Sequence, residues 1–215
     1  MYRHIPNLIT VGRLLLTVLF FVLINIHRPE TFVTTMWASF VLFVVAGLTD
    51  ILDGYLARTW KVESAFGRVV DPFVDKIMVC GAFILFASNG FAQPSGMAWG
   101  ETITGVAPWM AVVLIAREFL ITGIRGLAES RGIDFRADWA GKIKMFSQSF
   151  AIGSILVDLA TSYVPGTGTG SAAAYRHVGW IITVRDISIW LTLVVTVASA
   201  TTYIVRAQRL FREPA

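Results

Sequence analysis

The amino-acid sequence predicts an all-α integral membrane protein with six transmembrane helices. Of its 215 residues, 55% are apolar and 15% are charged, and the mean hydropathy is +0.67. Soluble globular domains carry about 25% charged residues. The apolar residues form long runs, and connections rich in charge alternate with connections rich in Gly, Pro, Ser and Thr. These observations exclude a soluble globular domain.

A helix needs about 20 apolar residues to cross a hydrocarbon core about 30 Å thick. Runs of that length occur at about residues 8–26, 34–57, 69–90, 107–128, 142–163 and 183–207. The residues before the first run, Met1 to Thr10, could form a short interfacial helix. We expect residues 1–215 to form a single membrane domain, because neither an internal repeat nor a soluble segment is visible.

The basic residues indicate how these helices are oriented. They are concentrated at the start of the chain, in the second and fourth connections and at the end, whereas Arg28, Arg176 and Arg185 lie on the other side. Cytoplasmic loops are enriched in Lys and Arg. We therefore expect the protein to lie in the cell membrane with both termini on the cytoplasmic side. The net charge of +4 is spread among helix ends, which argues against nucleic acid as a partner.

Four aspartates stand at the edges of the second and third apolar runs: Asp50, Asp53, Asp71 and Asp75. A carboxylate at the bilayer centre costs about 2.5 to 3.5 kcal/mol on insertion scales, so a group of carboxylates needs a compensating cation. On helices, the first pair (i, i+3) and the second pair (i, i+4) each share a face. Both pairs fall near the same predicted cytoplasmic boundary, where they could surround one small volume.

Oxygen ligands of this kind select a hard divalent cation. We expect Mg²⁺ or Mn²⁺, because zinc would favour His or Cys and the three histidines are scattered. Such ions leave positions for substrate phosphates, which indicates phosphoryl chemistry. Gly54, Ala57 and Gly67 would leave room for a bulky ligand, although small residues also serve close helix packing in membranes. A salt-bridge cluster and an ion-conducting path remain as alternatives for the aspartates.

The spacing of the motif resembles the signature of the CDP-alcohol phosphatidyltransferase family. The pattern Asp-x2-Asp-Gly-x2-Ala-Arg-x8-Gly-x3-Asp-x3-Asp is met at every fixed position from Asp50 to Asp75. The resemblance implies six transmembrane helices, commonly a homodimer, and transfer of a phosphatidyl group from CDP-diacylglycerol to an alcohol with release of CMP.

The same resemblance implies roles for the residues of the motif. Asp50, Asp53 and Asp71 would hold a pair of divalent ions, and Asp75 would lie near the metals as the general base. The nucleotide pocket would be lined by Asp50, Asp53, Gly54, Ala57, Arg58, Gly67 and Asp71. Asn7, Thr10 and Arg13 of the first run could approach the nucleotide or the metal.

Further segments resemble the branch of this family whose acceptor is glycerol 3-phosphate. They are Pro6–Thr10 with Arg13, Asp71–Met78, Arg117–Phe119, Gly123–Arg125, Ala128–Gly132 and Gly141–Lys144 with Gln148. An acceptor that carries its own phosphate needs cations beside the metal site. Four residues could supply them: Arg117, Arg125, Lys142 and Lys144.

Each of these cations also has a structural interpretation. Arg117 lies inside a predicted span, where an arginine should face the interior, and it could pair with Glu118 or with an acid of another helix instead of a phosphate. Arg125, Lys142 and Lys144 could serve as topology signals that contact anionic lipid headgroups. Both interpretations stay open on the sequence alone.

The resemblance implies that glycerol 3-phosphate and CDP-diacylglycerol react to give phosphatidylglycerol phosphate and CMP. Serine, inositol, inositol phosphate and a phospholipid are alternative acceptors, although a neutral or zwitterionic one would not need the four cations. A membrane prenyltransferase is a further alternative, but it should carry two separate Asp-rich motifs, whereas this chain has one compact motif. The alternative of a different class is a divalent cation transporter, which would more often carry its acids near the membrane midplane.

Overall fold

The computed structural model describes residues 5–60, 65–91, 102–131, 139–164, 174–176 and 178–212. Within them the chain forms six α-helices: α1 Ile5–Ile24, α2 Phe32–Trp60, α3 Ala65–Phe86, α4 Pro108–Ser130, α5 Trp139–Ser162 and α6 Gly179–Arg212. A short 3-10 turn, Asn89–Phe91, follows α3. Each apolar run of the sequence lies largely within one of these helices.

The helix ends differ from the ends of the apolar runs. α2 continues to Trp60 and α6 to Arg212, both beyond the end of the apolar run. Helical hydrogen bonds join backbone groups, so a helix can extend into polar residues. Residues 5–10, part of the segment for which an interfacial helix was considered, are continuous with α1, and residues 1–4 lie outside the described part of the chain.

The outer surface of the helices is strongly apolar. Large side chains such as Leu15, Phe146 and Trp180 are well exposed, which is typical of lipid-facing positions and unfavourable in water. Among the described residues, three helical segments are long and apolar enough to cross a membrane: Phe32–Thr49, Gly141–Ser162 and Gly179–Val205. The apolar segment Val11–Ile24 is shorter. The chain is an all-α membrane protein.

The helices pack around α5. α5 contacts α2, α3 and α6, while α1 packs against α2 and α3, and α4 packs against α3 and α6. The core between them includes Met36, Phe83, Ile152 and Leu156, which are almost completely buried. α3 is therefore held between α1 on one side and α4 and α5 on the other.

Gly81 allows α1 and α3 to approach closely. A Cβ atom at this position would lie 2.8 Å from Cε1 of Phe21 on α1, closer than real Cβ contacts occur. Small residues serve this purpose at helix interfaces in membranes.

A short antiparallel pair of strands follows α5. β1 (Tyr163–Val164) pairs with β2 (Ala174–Tyr175), and Tyr163 lies opposite Tyr175. The ring of Tyr163 also packs on Phe32 at the start of α2, with the ring centroids 4.6 Å apart. The Gly-rich segment between the strands, residues 165–173, lies outside the described residues.

A buried ion pair joins α5 and α6 at this end of the bundle. Nη1 of Arg185 donates to Oδ2 of Asp158 at 2.6 Å and to the carbonyl oxygen of Ile103 at 2.8 Å. Ser162 donates to the other carboxylate oxygen of Asp158 at 2.8 Å. Because Ile103 precedes α4, the same pair fastens that connection to the bundle. Gly105, with a φ of 75°, adopts the left-handed conformation beside Arg185, which favours glycine.

Candidate active site

The acidic motif spans the connection from α2 to α3. The helices α2, α4 and α6 end at one end of the bundle, where α3 and α5 begin. We call this the charged end. The backbone is helical through Asp50 and Asp53 in α2 and through Asp71 and Asp75 in α3. Each pair of aspartates is therefore in the register that places its two members on one face of a helix.

For most of the motif the structure describes the backbone alone. The following positions lie on α1, α2 or α3 with their side chains outside the described part: Asn7, Thr10, Asp50, Asp53, Gly54, Ala57, Arg58, Gly67 and Asp71. Their roles stay predictions. Arg13 is described, and it is 2% exposed, so its side chain on α1 faces the bundle interior.

Asp75 lines a cleft between α3, α4 and α5. The space between its lining atoms is about 290 Å³, a figure that includes the part of the cleft open to solvent. The other lining residues are Lys76, Val79 and Cys80 of α3, Glu118 of α4, and Lys144, Met145, Gln148 and Ser149 of α5. A cavity between helices with a few converging polar groups is the usual form of a ligand site in a helical bundle.

Lys144 and Glu118 form an ion pair inside this cleft. Nζ of Lys144 contacts Oε1 of Glu118, and both side chains are less than a tenth exposed. The same carboxylate oxygen lies 3.3 Å from Nη1 of Arg117. A buried charge costs several kcal/mol unless it is paired. Glu118 is thus the shared counter-ion that allows two cations to remain inside the bundle.

Arg117 lies behind the cleft and is held by α6. Its Nη2 donates to Oγ of Ser199 at 2.9 Å, and its guanidinium carbon lies 5.8 Å from the ring centroid of Tyr203. Nε of Arg117 has no hydrogen-bond partner within the described part of the chain. Of the two roles that the sequence left open for Arg117, the ion pair with Glu118 is present here.

Lys76 is fixed on the α3 side of the cleft. Its Nζ donates to the hydroxyl of Thr122 on α4 at 2.8 Å, and that hydroxyl donates to the carbonyl oxygen of Glu118 at 2.7 Å. These contacts connect α3 to α4 beside the Glu118 carboxylate. Three helices therefore share one polar network at the cleft.

The four cations predicted for an acceptor phosphate occupy different surroundings. Lys144 lines the cleft and Arg117 lies behind it, whereas Arg125 has its guanidinium carbon 5.9 Å from the ring centroid of Tyr203. Lys142 is exposed, because residues two apart on a helix point in different directions. Lys144 is the member of this set that shares a cavity with Asp75.

Sequence reasoning placed Lys76, Glu118 and Gln148 outside the site, although it considered Glu118 as an ion-pair partner of Arg117. Glu118 had a usable signal, since an acid inside an apolar run and next to an arginine is expensive and should be paired. The partner on α5 could not be found that way, because the pairing depends on how α4 and α5 are both packed against α3 and α6.

Comparison with known proteins supports the family that the acidic motif resembles. The chain matches the family model of the CDP-alcohol phosphatidyltransferases over residues 3–198. Three curated relatives are named "CDP-diacylglycerol--glycerol-3-phosphate 3-phosphatidyltransferase". The Bacillus subtilis protein is 30% identical over 72% of this chain and 77% of its own length. The Haemophilus influenzae protein is 32% identical over 71% and 75%, and the Escherichia coli protein 32% over 73% and 78%. The resemblance drawn from the acidic motif is confirmed, and the chain belongs to the CDP-alcohol phosphatidyltransferase family.

Proposed function

We propose that this chain transfers the phosphatidyl group of CDP-diacylglycerol to glycerol 3-phosphate, giving phosphatidylglycerol phosphate and CMP. The observation that carries this proposal is that the carboxylate of Asp75 and the ammonium group of Lys144 line the same cleft. A carboxylate can accept the proton of an attacking hydroxyl, and a partly desolvated cation can bind a phosphate. The names of the curated relatives support the same reaction.

In the proposed reaction, the primary hydroxyl of glycerol 3-phosphate attacks the phosphorus that is bonded to diacylglycerol. A new phosphorus–oxygen bond forms, the bond from that phosphorus to CMP breaks, and the hydroxyl proton moves to a carboxylate oxygen of Asp75. The phosphate of the acceptor binds Lys144, which lines the same cleft. The two residues then orient one acceptor molecule at both of its ends.

The acidic motif fits the divalent cations on which the family generally depends. Its donor set consists of four carboxylates on two helices, which is the ligand chemistry that Mg²⁺ and Mn²⁺ prefer. Asp50, Asp53 and Asp71 would hold two such ions, with Asp75 beside them. When bound, the ions neutralise the diphosphate and stabilise the charge on the departing CMP.

The nucleotide lies against the connection between α2 and α3 in this proposal. The positions that would line it are Asp50, Asp53, Gly54, Ala57, Arg58, Gly67 and Asp71, and Asn7, Thr10 and Arg13 approach from α1. The small residues leave space for the cytidine and ribose. Lys142 and Arg125 are exposed cations that attract a charged acceptor, and Arg117 supports Glu118 through their ion pair.

We further propose that all six helices cross the cell membrane and that both termini and the charged end face the cytoplasm. The distribution of basic residues supports this orientation. It also places the cleft where a soluble acceptor and a lipid-anchored nucleotide meet. A homodimer is the expected assembly, because it is common in the family.

Purified protein tests the acceptor directly. CMP release from CDP-diacylglycerol is measured with Mg²⁺ or Mn²⁺ and a panel of glycerol 3-phosphate, serine, inositol and inositol phosphate. We expect glycerol 3-phosphate to give the highest rate. Release with another alcohol but not with glycerol 3-phosphate would reassign the acceptor. Nucleotide-independent uptake of divalent cations by sealed vesicles, without CMP release, would instead favour a transporter.

A further inference from the structure

We propose that Glu118 is an exchangeable counter-ion, which pairs with Lys144 when the acceptor is absent and is replaced there by the phosphate of the acceptor. The inference rests on the proposed function, since it takes the acceptor to be a phosphorylated alcohol. It assigns Glu118 a role in selecting the acceptor rather than in the chemical step.

The first support is the position of the Glu118 carboxylate. Glu118, Lys144 and Asp75 all line the cleft, and Oε1 of Glu118 contacts Nζ of Lys144. The carboxylate therefore occupies the place at the ammonium group that another anion entering the cleft would need. An acceptor phosphate at Lys144 would meet the like charge of this carboxylate, so the two anions compete for one ammonium group.

The second support is that Glu118 would not be left alone after the exchange. Its Oε1 has a second cationic partner, Nη1 of Arg117, at 3.3 Å. Arg117 is itself fixed by Ser199 and by the ring of Tyr203 on α6. Since an isolated buried charge is unfavourable, this second pairing makes the release of Lys144 feasible.

The third support is the charge balance at the cleft. Two buried cations, Arg117 and Lys144, contact the carboxylate of Glu118, and the carboxylate of Asp75 also lies near Lys144. Lys144 has a flexible side chain with three rotatable donors, whereas Arg117 is held on two sides. Lys144 is thus the cation that can change partners, and Arg117 is the one that keeps its place.

The exchange has a consequence for selectivity. An anion can bind Lys144 only in those molecules in which Lys144 is not paired with Glu118. Its apparent affinity is therefore the intrinsic affinity multiplied by the fraction of such molecules. An acceptor without a phosphate, such as glycerol, cannot replace the carboxylate and gains nothing from Lys144. Competition of this kind discriminates between ligands by penalising the wrong one.

Glu118→Gln tests the proposal because the amide keeps the size of the side chain and removes its charge. We expect the KM for glycerol 3-phosphate to fall by roughly tenfold, with a smaller change in kcat, because the variant no longer has to release Lys144. The inhibition constant of inorganic phosphate should fall in parallel. Glu129→Gln, an exposed position on the same helix, is the matched control and should change neither constant.

A folded Glu118→Gln protein whose KM and inhibition constant are unchanged or raised would overturn the proposal. If this variant does not fold, Glu118→Asp retains the charge but shortens the reach to Lys144. It should lower both constants by a smaller factor, and an unchanged or higher value would equally refute the exchange.

A separate measurement distinguishes this proposal from the proposed function. Inorganic phosphate should raise the thermal unfolding temperature of Glu118→Gln at lower concentrations than it does for the wild type. This readout needs no turnover. A wild-type protein that does not use glycerol 3-phosphate contradicts the proposed function, whereas equal phosphate dependence of the two proteins contradicts the role of Glu118.

Discussion

Lys144 on α5 and Glu118 on α4 form a buried ion pair in the cleft that Asp75 of α3 also lines. This relationship joins the last aspartate of the acidic motif to residues far along the chain. In the proposed function the motif binds the nucleotide and the metals, and the ion pair lies where the acceptor would bind. The proposed function requires that Asp75 and the ion pair of Lys144 and Glu118 line the same cavity.

Lys144→Met should raise the KM for glycerol 3-phosphate by about 10 to 100-fold, because a hydrogen bond to a charged group is worth about 1.5 to 3 kcal/mol. The KM for CDP-diacylglycerol should change much less. Lys142→Met, which alters an exposed ammonium two residues away, should have a smaller effect. Steady-state kinetics with each substrate varied in turn measures all three values, and equal effects of the two variants would contradict the placement of Lys144.

Asp75→Asn should abolish turnover while much of the metal binding is retained. The amide has nearly the same shape but cannot accept the proton, and general base catalysis contributes about 10² to 10⁴-fold. CMP release and Mn²⁺ binding, measured on the same preparation, separate the two effects. Full activity in this variant would refute the assignment of Asp75 as the base.

Asp158→Asn should destabilise the protein without altering its chemistry. Removal of one partner of a buried ion pair costs about 3 to 5 kcal/mol, and the carboxylate of Asp158 is almost completely buried beside Arg185. Asp186→Asn is the control, because Asp186 also accepts hydrogen bonds from Arg185 but is 49% exposed, so we expect at most about 1 kcal/mol.

Unfolding in detergent measures this difference, and CMP release per folded molecule should be the same as in the wild type. Equal losses of stability in the Asp158 and Asp186 variants would show that burial of the pair is not what matters. A loss of activity in folded Asp158→Asn would contradict the separation of this ion pair from the cleft.

Gly81→Ala should weaken the contact between α1 and α3. The new methyl group would meet the ring of Phe21, and overpacking of this kind costs about 1 to 3 kcal/mol. Gly47→Ala is the matched control, because its added Cβ has no neighbour within 4 Å and alanine favours a helix. Thermal unfolding of the two variants should therefore shift in opposite directions or by clearly different amounts.

The sequence predicts the helices well because each depends on a local property. A run of about 20 apolar residues is visible without knowledge of any other part of the chain. The ends of α2 and α6 are less predictable, since the helical backbone continues into charged residues. The strand pair of Tyr163 and Tyr175 is too short to produce a periodic pattern.

The sequence predicts only those parts of the site whose residues lie close together along the chain. The register of Asp71 and Asp75 follows from one helix, whereas the bond from Arg117 to Ser199 joins residues 82 positions apart. The ion pair of Asp158 with Arg185 had a signal, because both charges lie inside or at the edge of apolar runs. Its partners still depend on the packing of α5 against α6.

The lipid product of the purified protein tests the proposed function most directly. CDP-diacylglycerol and glycerol 3-phosphate are incubated with the protein and Mg²⁺ or Mn²⁺, and CMP and the lipids are quantified by mass spectrometry. We predict phosphatidylglycerol phosphate and CMP in equal amounts, and neither product without glycerol 3-phosphate. CMP that appears together with phosphatidic acid, or without phosphatidylglycerol phosphate, would contradict the transfer to glycerol 3-phosphate.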